Sequence, residues 1–169
     1  IGKCTLELHT TELANTAGEP IPHSTQHGYF DNYTPSTAKI YVDPKTIINS
    51  SLTACQNFTT DVDIQTTDLK AFEFRLSFNE TILEATNVTV NSIWPSPTVS
   101  IMPSFVHVIS GNPINPVTGT ITLATITFHV LDEGESTLDL KNVTLTDKYG
   151  DAMPYKEPED GYFNNMLIT

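Results

Sequence analysis

Apolar and polar residues alternate with a period of two along much of this chain. In AFEFRLSFN, residues 71–79, Phe72, Phe74, Leu76 and Phe78 fall on one side and Glu73, Arg75 and Ser77 on the other. Such alternation sets one face of a strand on a core and the other in water. FTTDVDIQ, 58–65, sorts the same way, with Phe58, Thr60, Val62 and Ile64 opposite Thr59, Asp61, Asp63 and Gln65. AKIYVD, 38–43, is a shorter run stopped by Pro44. TITLATITFHV, 120–130, changes phase: Ile121 and Leu123 are in step, while Ile126, Phe128 and Val130 fall one residue out. A β-bulge near Ala124–Thr125 accounts for the slip. The same slip separates Leu138 and Leu140 from Val143 and Leu145, and Leu6 and Leu8 from Thr11 and Leu13. The one helical candidate, ETILEA at 80–85, is long enough only for a turn. WPSPTVSIMPSF, 94–105, holds three prolines and reads as a loop or broken edge strand. Short strands separated by Pro, Gly and Asn predict an all-β sandwich.

The two ends of the chain repeat each other. GYFDN at 28–32 returns as GYFNN at 161–165, and the match extends upstream. Gly2 falls on Gly134, Leu6 on Leu138, Leu8 on Leu140, Leu13 on Leu145, Gly18 on Gly150 and Pro22 on Pro154, every pair 132 positions apart. One residue is then gained, and Gly28-Tyr29-Phe30 meets Gly161-Tyr162-Phe163 at 133. Repetition of this kind decides where a domain begins. Residues 1–34 match the end of a unit, the terminal strands of a preceding or neighbouring repeat, and a full unit runs over 35–169. That unit is long enough to bury one core. Leu6, Leu8, Leu13 and Phe30 are then expected to pack into a sandwich other than 35–169.

Charge and compartment narrow the function. A net charge of −12 with only eight basic residues argues against nucleic acid or an anionic membrane surface as partner. The chain holds no run of eighteen apolar residues, so no segment of it is expected to span a bilayer. Asn-x-Ser/Thr acceptor sites stand at Asn32, Asn49, Asn57, Asn79, Asn87 and Asn142, about twice the number chance would place. With scarce lysine and two cysteines, they point to an extracellular or cell-surface glycoprotein.

The order of motifs resembles a known family. A short strand ending in Asp-Pro is followed by NFTTDVDI and LKAFEFRLSFNETILEATNV, then by GTITLATITFHVLDEGESTLDL, a TDKYGD turn and a closing GYFNNMLIT. This succession, over about 35–169, is similar to a cohesin-type domain, related to some carbohydrate-binding modules. The resemblance implies a nine-stranded jelly-roll β-sandwich. It also implies a module that binds rather than catalyses: cohesins of cellulosomes bind dockerins, small calcium-loaded helical modules. Similar domains occur in tandem in large archaeal and bacterial surface proteins.

Candidate chemistry is sparse. None of His9, His23, His27, His107 and His129 lies near a nucleophile-like Ser or Cys, so no catalytic residue is assigned. His23 and His27 have a helical metal-ligand spacing but sit in a Pro-flanked loop, and their places in the second copy are taken by Tyr155 and Glu159. No metal site is assigned. Asp147 and Asp151 offer a calcium reading, against which Asp in a Gly turn more often serves the turn itself. Trp94 beside Pro95 is read as a core or loop anchor ahead of a sugar-stacking platform. Cys4 and Cys55 are expected to form a disulfide. It would run either within the chain, bracing the hinge around 34–38, or to a neighbour, the latter preferred because 1–34 should serve another sandwich.

Two functions remain. The first is a structural link of a surface filament or layer, built from copies of itself or adjoining units by tandem linkage or strand exchange. The second is a binding module for a dockerin-like partner or carbohydrate. The spare copy of the terminal strands favours the first, since a lone receptor has no use for it.

Overall fold

Among the described residues, 3–31 and 37–166 of a computed structural model, eleven strands form and no helix does. They fall into two units, Ile1–Thr34 and Pro35–Thr169. The first holds a two-stranded antiparallel pair, β1 (Lys3–Leu6) and β2 (Gly28–Asp31). The second holds nine strands: β3 (Lys39–Asp43), β4 (Thr46–Ile48), β5 (Asn57–Ser77), β6 (Leu83–Val90), β7 (Thr98–Met102), β8 (Phe105–Gly111), β9 (Val117–Val130), β10 (Glu135–Asp147) and β11 (Gly161–Asn164).

β5 carries both of the clearest alternating runs, which the sequence presents as separate strands. It is instead one strand of 21 residues that passes from one layer to the other. Its first half pairs antiparallel with β3 and β9, and β9 with β6. Its second half pairs with β8 and β10, which carry β7 and β11 outward. Between the halves the register against β9 shifts from Thr66 to Leu69, and Asp68 takes a positive φ of 60°. A local kink of this sort bends the strand without ending it. The result is the β-sandwich that the strand pattern predicts, with the nine strands and jelly-roll form that the family resemblance implies.

The inward faces meet as the alternation requires. Val62, Ile64, Phe72, Phe74, Leu76 and Phe78 share one core with Ile126, Phe128 and Val130. Removing each large side chain from water contributes about 1.5–3 kcal/mol. Glu73 and Arg75 point outward but are half covered: Glu73 meets His107 at 2.8 Å, and the Arg75 guanidinium lies 3.5 Å from the Phe105 ring centroid. The bulge of β9 falls at Leu123, one residue before the expected place, between the pairs Val62–Ala124 and Asp63–Thr122. That of β10 falls between Lys141 and Thr144, with Asn142 at φ 50°. Residues 80–82 form the expected turn, and the proline-rich stretch supplies the edge strand β7. Trp94 is buried, edge-on to Phe72 at 5.0 Å, so it anchors the core and is no sugar platform.

Candidate functional site: a closing hairpin present twice

β10 and β11 close the sandwich, and the way they are held defines the site. β10 pairs antiparallel with β5 from Asp139–Ser77 to Asp147–Leu69. β11 pairs antiparallel with β10 and parallel with β4, from Tyr162–Thr46 to Asn164–Ile48. The returning segment between them lies along β3. There Ala38 N–H donates to Pro154 O, Lys156 N–H to Ala38 O, Glu159 N–H to Ile40 O and Val42 N–H to Glu159 O, all within 3.1 Å. The backbone groups of this long hairpin are thus satisfied on both flanks, as buried main chain requires.

Its side chains fill the core from the same direction. Leu138, Leu140, Val143, Leu145, Met153 and Phe163 are all buried, and Phe163 stacks on Phe58 with ring centroids 4.8 Å apart. Gly161 is set so close to β3 that a Cβ there would lie 2.6 Å from Val42 Cγ1, so no larger residue fits. Polar clamps fix the ends. Ser136 Oγ accepts the Asn79 N–H at 2.9 Å. Asn165, buried, donates from Nδ2 to Leu52 O at 2.7 Å and Asp132 O at 3.3 Å, and accepts from Gly134 N–H at 2.7 Å. On the exposed rim a hydrogen bond from Lys39 holds the Glu159 carboxyl below its ordinary range, helped by the charges of Lys39, Lys45 and Lys156. The hydrogen bond between Tyr162 and Glu135 pushes that phenol up.

The first unit has the same conformation, pair by pair. Cys4–Phe30, Thr5–Tyr29 and Leu6–Gly28 repeat Ser136–Phe163, Thr137–Tyr162 and Leu138–Gly161. The Ala14–Pro20 bridge repeats Thr146–Ala152. Ile21 N–H donates to Leu13 O at 2.7 Å as Met153 does to Leu145 O at 2.8 Å. Thr10 and Gly18, at φ 51° and 82°, repeat Asn142 and Gly150, at 50° and 89°. Asn15 Oδ1 accepts from the N–H groups of Ala17 and Glu19, as Asp147 Oδ1 does from Tyr149 and Asp151. The carboxylate of the calcium reading is therefore engaged in closing its turn.

The histidine pair finds its explanation in the same comparison. His23 Nε2 bonds Thr11 Oγ1 at 2.9 Å where Tyr155 OH donates to Val143 O, so the pairing of His23 with Tyr155 stands. His27 Nδ1 accepts the Leu8 N–H at 3.1 Å, and its counterpart is the Asp160 carboxylate, which accepts from Leu140 N–H at 2.8 Å. The sequence alignment put Glu159 there. The extra residue of the second copy lies upstream of Asp160, a shift that spacing alone does not reveal. Each histidine thus ties one hairpin to itself, and the two are engaged separately.

What differs between the copies is burial. Leu6, Leu8, Leu13 and Phe30 are 50–55 % exposed, whereas their counterparts Leu138, Leu140, Leu145 and Phe163 are at most 4 % exposed. Ile21, matched to Met153, is exposed as well. Sequence reasoning found the four repeated apolar residues but missed Ser136, Asp160 and Asn165, because polar clamps carry no periodicity. The signal for Asn165 was present in the pentapeptide, as the second Asn of GYFNN.

The remaining predicted sites are scattered over the surface. Asn49, Asn57, Asn79, Asn87 and Asn142 are all exposed, and Asn32 lies outside the described residues. In two acceptor sites the Asn and Thr touch: Thr81 Oγ1 donates to Asn79 Oδ1 at 2.8 Å and Asn87 Nδ2 to Thr89 Oγ1 at 3.1 Å. Cys4 and Cys55 are exposed free thiols, one in each unit, and no disulfide joins them here.

Comparison with known proteins places this architecture. The Cohesin domain family model matches residues 53–157. Curated protein sequences give no match. A non-cellulosomal cohesin from the hyperthermophilic archaeon Archaeoglobus fulgidus superposes with a TM-score of 0.63 at 15% identity, over 76% of this chain and 90% of its own. CaCohA2 from Clostridium acetobutylicum does so at 0.65 and 15%, over 77% and 91%. The cohesin of the Coh-OlpC–Doc435 complex, a type I cohesin–dockerin complex from Clostridium thermocellum, gives 0.64 and 10%, over 79% and 97%. At these identities the likeness is one of fold.

Proposed function

The chain belongs to the cohesin domain family, and on that footing we propose that it is one link of an extracellular filament or surface layer of cohesin sandwiches. It is a module that binds rather than an enzyme, in keeping with its family. One observation carries the reading: the chain holds a complete sandwich and, in addition, a second closing hairpin in the same register with its apolar face half exposed. A sandwich that has its own β10 and β11 has no need of another pair. A series of sandwiches does, because each link must be joined to the next. Tandem linkage in one long polypeptide is preferred over exchange between separate chains, since the seat in 35–169 is already filled by its own strands. Five exposed glycan acceptor sites support a place outside the cell. No helix of the described residues is long and apolar enough to cross a membrane.

The intact mass of native material under denaturing, reducing conditions tests this. A very large species or a ladder spaced by one unit is expected. A single short chain that stays monodisperse when native would refute the linking role.

A second reading, a receptor for a dockerin-like partner, is supported by the cohesins solved with dockerins. The outward face of β10, β5, β8 and β7 offers a surface for it, with Met102 and Ile109 exposed beside the Glu73–His107 pair. Titration of the chain with a calcium-loaded dockerin separates the readings. Binding that survives Phe30→Ala but fails with Ile109→Asp would favour the receptor. Carbohydrate binding loses its one aromatic candidate with the burial of Trp94.

A further inference from the structure

Resting on the linking role, we infer that the first hairpin, residues 3–31, docks into a second cohesin sandwich that is open where this one is closed by β10 and β11. Residues 135–166 show how such a seat is filled, since they close their own sandwich through β10 and β11. By the shared register, the stretch after β1 adds antiparallel to the acceptor's counterpart of β5, and β2 adds parallel to its counterpart of β4. This is strand addition, with main-chain bonds supplying affinity and alternate side chains supplying specificity.

Three features of the free hairpin match the seat and have no evident use outside it. The apolar face of Leu6, Leu8, Leu13, Ile21 and Phe30 is assembled but half in water. Gly28 is repeated as Gly161, yet inside its own hairpin a Cβ at Gly28 would meet Leu6 Cβ at 3.3 Å, much less severe than the 2.6 Å approach of Val42 to Gly161. The tighter constraint belongs to the acceptor. Finally, Cys4 stands at the place of Ser136, which is 3 % exposed and accepts the Asn79 N–H. A thiol is a close substitute for a hydroxyl in size, so docking would carry Cys4 from water into the acceptor while Cys55 stays outside.

The test uses the full 169-residue chain. Gly161→Val should wedge its own β11 off β3 through the Val42 contact and open the seat, while the first hairpin keeps its glycine. The unmodified chain should be monomeric by light scattering, and Gly161→Val should form head-to-tail oligomers. In these, Cys4 should react with a thiol reagent about tenfold or more slowly than in the unmodified chain, with Cys55 unchanged. Adding Gly28→Val should abolish the oligomers. If Gly161→Val alone precipitates, excess unmodified chain should keep it soluble as a 1:1 complex, through the donor's free hairpin. A monomeric Gly161→Val, or precipitation that unmodified chain does not prevent, would overturn the inference. Oligomers that persist in the double variant would also overturn it but leave self-assembly standing, and the native mass measurement tests the linking role independently.

Discussion

Phe30 and Phe163 occupy the same place in two copies of one hairpin and differ in what covers them. Phe163 is fully buried and stacked on Phe58, so Phe163→Ala removes a large side chain and leaves a cavity, at a cost of about 3–5 kcal/mol. Phe30 is 50 % exposed, and its loss from the 169-residue chain should change the stability of the sandwich by less than about 0.5 kcal/mol. For a unit of this size the first change lowers the thermal midpoint by roughly 10–20 °C and the second by about 2 °C or less. Thermal unfolding followed by circular dichroism, with urea denaturation as a check, measures both. In assembled material the asymmetry should disappear, because Phe30 then fills a core of its own and Phe30→Ala should loosen the junction by about 3–5 kcal/mol. Equal costs for the two substitutions in the isolated chain would refute the reasoning, since Phe30 would then already be packed. A harmless Phe30→Ala in the assembly would refute it from the other side.

Phe74→Ala, at the centre of the core, should cost about 3–5 kcal/mol in urea denaturation, and a near-neutral result would break the assigned strand register. Burial raises the pKa of Asp63, aided by Asp61 and Asp43 and opposed by a hydrogen bond from Thr122, and one of its carboxylate oxygens finds no partner. A carboxyl whose folded pKa is raised costs stability once the pH rises through that pKa, and costs nothing below the unfolded value. Asp63→Asn should therefore stabilise the sandwich at pH 7 by on the order of 0.5 kcal/mol after screening, and the gain should fade in acid. A gain that grows as the pH falls would contradict the sign. Glycopeptide mapping of native protein should find glycans on several of Asn49, Asn57, Asn79, Asn87 and Asn142 but none on Asn32. Asn32 matches Asn165, whose side-chain nitrogen is committed to Leu52 O and Asp132 O, and a glycan there would forbid the seat.

The strand pattern was legible wherever side chains alternate between core and water. Phe72 to Phe78 and Ile126 to Val130 state their own faces, and the phase slip in β9 announced its bulge to within a residue. The continuity of β5 was not legible, because Thr66, Thr67 and Asp68 look like a loop, and the strand is carried past Thr67 and Asp68 only by the flanking pairs Thr66–Gly119 and Leu69–Val117. Repetition made the hairpin readable as a unit, since Leu, Gly and Pro kept register over it. Its clamps escaped notice for a physical reason: Ser136, Asp160 and Asn165 act through hydrogen bonds to backbone groups remote in sequence, one each for Ser136 and Asp160 and three for Asn165, and such bonds impose no period. The offset between His27 and Asp160 was misread for the same reason, as only the shared Leu8–Leu140 acceptor role aligns them.

If residues 3–31 close a neighbouring sandwich as 135–166 close this one, hydrogen–deuterium exchange will show it in the amides that face the acceptor. In the isolated chain, residues 7–13 should exchange at least about a hundredfold faster than their counterparts 139–145, which pair with β5. In native assembled material the two segments should exchange alike, both slowly. Residues 7–13 exchanging as fast in the native assembly as in the isolated chain, with 139–145 still protected, would contradict the docking of the first hairpin.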